Sequence, residues 1–78
     1  MSDDFMSDFL RERNEALLSL DRKKIDIYAK KYEVSMPKNE TAYWAGIHKA
    51  RLAVTEFSDD VKEVSKKWLI EHGLKPEF

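Results

Sequence analysis

The sequence predicts an all-α fold: a compact four-helix domain, built as an antiparallel bundle or an orthogonal helical array. Three observations carry this expectation. Apolar residues recur at i, i+3, i+4 and i+7 along the 78-residue chain. No stretch alternates apolar and polar positions with β-branched side chains, as a half-buried strand would. Capping residues stand ahead of periodic runs at Asp21, Asn39 and Ser58, while only two glycines and two prolines interrupt the chain.

The first helix is expected over 3–20, starting at Asp3 or Asp8 with Ser2 or Ser7 as its cap. At 100° per residue, Phe5, Met6, Phe9, Leu10, Ala16, Leu17 and Leu20 share one face. Arg13 falls in the middle of that face. A buried, unpaired guanidinium is costly, so Arg13 must snorkel, face a partner, or pair with a carboxylate such as Glu56 or Glu63.

The second helix, 22–33, follows Asp21 and carries Ile25, Tyr28, Ala29 and Tyr32 as its apolar stripe. The residue before Pro37 is pushed out of the helical region, which separates this helix from the next. Glu33 occupies a place where glycine is the more natural terminator.

The third helix, 39–57, starts at Asn39 and collects Tyr43, Ile47, Ala50, Val54 and Phe57 on one face. Beside that face run Ala42, Gly46 and Ala53, a small-residue stripe expected to admit a neighbouring helix closely. The fourth helix, 59–72, is capped by Ser58, with Asp59 and Asp60 where the helix dipole favours negative charge. Val61, Val64, Trp68 and Leu69 are its buried candidates, and Gly73 with Leu74 suits a Schellman ending before Pro76. With short connections throughout and no linker or repeat, residues 1–78 are expected to form a single domain.

Several chemistries find no footing in this sequence. It has no cysteine, so thiol nucleophiles, disulfides and cysteine-based zinc sites are excluded, as fits a reducing cytoplasm. His48 and His72 stand 24 residues apart without an HExxH or Glu-x-x-His arrangement, and there is no glycine-rich phosphate loop. Neither catalytic residues, a metal nor a cofactor is assigned, and a non-catalytic protein is expected. No apolar run approaches the roughly 20 residues of a membrane helix. The start, "MSDDFMSDF", is acidic where a secretion signal is basic and then apolar. His72 in the last turn of its helix suits the dipole, and Asn39-Glu40-Thr41 is read as a cap.

Charge is unevenly spread beneath a net value of −1. Residues 1–21 hold two basic and six acidic side chains (−4), residues 22–38 six and two (+4), and residues 39–78 six and seven (−1). Two candidate surfaces emerge. On the third helix Trp44, His48 and Arg51 line up at i, i+4 and i+7, opposite its main apolar face. Either the helix is contacted on several sides and these residues pack, or they form an aromatic–arginine patch of the kind enriched at binding hot spots. On the second helix Lys23, Lys24, Lys30 and Lys31 are interleaved with Ile27 and Val34. The lysines could meet phosphate groups, whereas the two aliphatic residues favour a protein contact.

Three segments, "NEALLSLDRKKIDIYAKKYEV", "MPKNETAYWAGIHKAR" and "SKKWLIEHGLKP", together resemble a group of short, uncharacterised proteins encoded in prophages and mobile elements of Gram-positive bacteria. The likeness spans residues 8–78. It implies a bacterial cytoplasm and a gene used for binding host or phage components, and it carries over no functional residue. The expected function is therefore binding of a protein partner, a second copy of the chain included, through Trp44, His48, Arg51, Ile27 and Val34. The alternative is nucleic-acid binding through Lys23, Lys24, Lys30 and Lys31.

Overall fold

The computed structural model describes residues 2–76, with side chains from Phe5 onward. It is all-α, with four helices: α1 (Ser2–Ser19), α2 (Arg22–Lys31), α3 (Glu40–Ala53) and α4 (Asp59–Glu71). The helices group into two compact units, Met1–Met36 and Pro37–Phe78.

In the first unit α1 and α2 form a helical hairpin. Ser7 lies inside α1 and does not cap it, and the Ser2 side chain is outside the described residues. The chain turns into the left-handed region at Leu20 (φ 50°), which stops α1 one residue before the expected end. There the Ser19 hydroxyl donates to the Ala16 carbonyl at 2.7 Å and accepts from the Asp21 amide at 3.1 Å. Asp21 then caps α2, its side chain accepting from the Lys23 amide at 2.9 Å.

Ala16, Leu17, Ile25 and Ala29 are the buried apolar residues of this hairpin. On α1 the buried residues Ala16 and Leu17 belong to the expected face, and Phe9 on that face is half-buried. Phe5, Met6, Leu10 and Leu20, expected on the same face, are exposed. Beside it Glu12 bridges to α2: its carboxylate accepts from Lys31 Nζ at 2.7 Å and from the Tyr32 hydroxyl. Phe9 packs edge-on to Tyr32 with ring centres 4.9 Å apart, and lies 5.9 Å from Tyr28. Arg13 is half-buried, and its guanidinium donates to the Asn14 side-chain oxygen at 3.1 and 2.9 Å. A neutral amide thus takes the place of the carboxylate expected there, and Glu56 and Glu63 are both exposed.

Helix α2 ends at Lys31, before the expected 33, in a Schellman arrangement. The Val34 amide reaches the Ala29 carbonyl at 2.8 Å and the Glu33 amide the Lys30 carbonyl at 3.4 Å. Glu33 therefore carries the left-handed conformation itself, at φ 55°.

The second unit is the α3–α4 hairpin. Asn39 caps α3, accepting from the Ala42 amide at 3.0 Å, and Ser58 caps α4, accepting from the Val61 amide at 3.3 Å. Helix α3 stops at Ala53, four residues short of the expected end. Reversal into a capped α4 needs a few residues of turn. Val54 turns extended (φ −81°, ψ 108°), and the Phe57 amide closes back on the Val54 carbonyl at 3.2 Å. Tyr43, Ile47, Val54, Phe57 and Leu69 form the apolar core here. Helix α4 ends at Glu71, one residue before the expected 72, in the expected Schellman turn, with Gly73 at φ 72° and the Leu74 amide on the Leu69 carbonyl at 2.8 Å. Two expectations are corrected. Val64 is exposed and Ser65, one residue on, is fully buried. The Ala42, Gly46 and Ala53 stripe is exposed, and a Cβ placed on Gly46 would meet nothing within 4 Å. The packed side of α3 is centred on Tyr43, Ile47, Arg51 and Val54, which turns the stripe outward.

Candidate functional site

The two surfaces expected from sequence have different fates. On α3, His48 keeps 3% of its surface and Arg51 4%, so both are corrected from a partner-facing patch to the interior of the hairpin. Helix α3 is amphipathic in an unusual sense: its buried side carries a histidine and an arginine beside tyrosine and isoleucine. Trp44 is half-buried, packs edge-on to Tyr43 at 5.1 Å, and donates its indole N–H to Glu40 at 2.9 Å. The three residues do not form one exposed patch.

What α3 does build is an internal polar cluster with α4. His48 Nδ1 and Ser65 Oγ are hydrogen-bonded at 3.0 Å. The His48 ring stacks on Trp68 at 4.6 Å, and Trp68 stacks in turn on His72 at 3.8 Å. His72 Nδ1 donates to the Trp68 carbonyl at 2.8 Å, capping the end of α4. Burial pushes the His48 imidazole down to about 4, with the Arg51 and His72 charges acting in the same direction. Burial also lowers the Arg51 guanidinium. Among the described residues, Arg51 Nε and Nη1 are buried without a hydrogen-bond partner.

A hydroxyl beside an imidazole is the pairing of an activated nucleophile. Here the hydroxyl is wholly buried, and the Arg51 charge opposes a proton on the imidazole. The pair lies inside the α3–α4 hairpin. Residue type alone does not mark Ser65, but its spacing does: Val61, Ser65, Trp68, Leu69 and His72 follow i, i+4, i+7, i+8 and i+11 on one face of α4.

The α1–α2 hairpin keeps the surface that α3 lost. Ile27 (61% exposed) and Val34 are outside, as are Lys23, Lys24, Lys30 and Lys31. Lys31 is not available as an independent phosphate contact, because it pairs with Glu12 and lies 5.4 Å from the Tyr32 ring centre. The hydrogen bonds of Lys31 and Tyr32 hold the Glu12 carboxyl below its ordinary value, while Glu12 raises both partners.

Between the helices runs a groove of about 580 Å³. Its α1 wall is Glu12, Glu15, Ala16 and Ser19, and its α2 wall is Lys24, Ile27, Tyr28 and Lys31. Each wall is an i, i+3, i+4, i+7 stripe, with Leu18 at the edge. Among the described residues, no group of three or more histidine or acidic side chains could hold a metal, and no helix is long and apolar enough to cross a membrane. The chain matches no protein-family model, no curated protein and no solved structure.

Proposed function

We propose that this is a non-catalytic helical interaction protein that binds a protein partner on the outer face of its α1–α2 hairpin. The observation that carries the reading is a distribution. Of nine large hydrophobic residues exposed among the described residues, seven fall in this hairpin: Phe5, Met6, Leu10, Leu18, Leu20, Ile27 and Val34. Only Val64 and Ile70 lie in the α3–α4 unit. Exposed apolar residues concentrated in one of the two units mark a contact surface. The prophage or mobile-element context implied by the resemblance fits a bacterial cytoplasm and a host or phage component as partner.

Affinity capture with the whole chain, with and without nuclease, tests the reading. A specific protein retained after nuclease and lost with Ile27→Glu is the expected result. If capture instead depends on nucleic acid, weakens with salt and falls when Lys23, Lys24 and Lys30 are changed to glutamine, the basic face of α2 is the functional surface.

A further inference from the structure

Resting on the reading of the α1–α2 face as a contact surface, we propose that its occupant is a second copy of this chain. The two copies pair about a two-fold axis that sets α1 of each against α2 of the other, making a four-helix bundle from two hairpins.

Size is the first argument. Among its described residues the unit Met1–Met36 buries four apolar residues, Ala16, Leu17, Ile25 and Ala29, and the chain holds no cysteine. Units below about 40 residues usually need disulfides, a metal or association to complete a core. Two helical hairpins that share their apolar faces complete one as a four-helix bundle.

Shape is the second. A two-fold interface must be complementary to itself, with each projection on a copy meeting a recess on the other. The groove supplies both. Ile27 projects from the α2 wall and Leu18 from the edge of α1, while the small residues Ala16 and Ser19 form a recess beside them.

Charge is the third, and it selects the orientation. The α1 wall of the groove bears Glu15 and the α2 wall bears Lys24, beside the Glu12–Lys31 pair already made within the hairpin. The same asymmetry runs through the sequence, −4 over residues 1–21 and +4 over 22–38. Packing α1 on α1 would set carboxylate against carboxylate and ammonium against ammonium. Packing α1 on α2 sets opposite charges together on both sides of the axis, so like-charge repulsion rejects the other arrangement.

Sedimentation equilibrium of the whole chain, from low to high micromolar concentration, tests this. A concentration-dependent dimer is expected. Ile27→Lys, at an exposed position that leaves helicity unchanged, should weaken it about tenfold or more. Glu15→Lys and Lys24→Glu should each weaken it several-fold, and the chain carrying both should regain it. A monomer at every concentration overturns the proposal, as does a dimer indifferent to Ile27→Lys. Loss without recovery in the doubly exchanged chain overturns the orientation. The contact-surface reading fails separately: it falls if the chain captures the same proteins with and without Ile27→Glu, or captures them only through nucleic acid.

Discussion

His48 Nδ1 meets Ser65 Oγ at 3.0 Å between α3 and α4, and Ser65 retains none of its surface. The contact joins two polar groups that would each be costly to bury alone. Burial, and after it the Arg51 and His72 charges, opposes a proton on His48 and keeps the imidazole neutral inside the hairpin.

The pH dependence follows from that charge state. His48 is held at about 4 in the folded chain against an ordinary 6.5, so the unfolded chain binds the proton more readily. Stability associated with this residue is fully present above 6.5 and declines as pH falls toward 4. The loss should amount to roughly 1–3 kcal/mol. Urea midpoints measured across that range should fall, and the fall should flatten in His48→Gln. An equal fall in both proteins would place the titration elsewhere.

Glu33→Gly should stabilise the chain. Glu33 sits at φ 55°, a conformation with a Cβ penalty of about 1–2 kcal/mol for residues other than glycine. Part of that gain is offset by the freer unfolded chain, leaving about 0.5–1 kcal/mol. Thermal melts of the two proteins compare them directly, and an unchanged or lower midpoint refutes the expectation.

Gly46→Ala tests the corrected orientation of α3. A Cβ there meets open space, so only the helix propensity changes, by about 0.5–1 kcal/mol in favour of alanine. Were the stripe a close-packed contact, the same substitution would destabilise the protein.

Arg51→Met removes a guanidinium whose Nε and Nη1 are buried without a partner among the described residues, while keeping most of its bulk. The unfolding free energy should rise by roughly 1–3 kcal/mol. Denaturant unfolding with an unchanged m-value is the check, and destabilisation would mean that the charge is compensated.

The sequence made the helices legible because their signals are local. Asp21, Asn39 and Ser58 cap the helices they were expected to cap, and Gly73 with Leu74 closes α4 as its spacing indicated. Helix ends that depend on strained residues were less visible. Nothing in the side chains of Leu20 or Glu33 announces a positive φ, yet both stop a helix there. Faces were harder again, since periodicity orients an apolar stripe only when polar residues stay outside. Glu12, His48, Arg51 and Ser65 are brought in through partners on another helix or through burial itself, and an apolar stripe marks none of them. The exposed residues of α2 were legible for the opposite reason: Ile27 and Val34 among lysines already broke the pattern of a solvated face.

The ring stack of His48, Trp68 and His72 has a spectroscopic consequence. Both tryptophans of the chain, Trp44 and Trp68, belong to the unit Pro37–Phe78, whereas Tyr28 and Tyr32 belong to the hairpin before it. Indole emission therefore watches one half of the molecule, and a protonated imidazole against Trp68 dims it. Far-ultraviolet dichroism watches all four helices. Overlaying the two signals during unfolding tells whether the halves melt together, without a label or a change to the sequence.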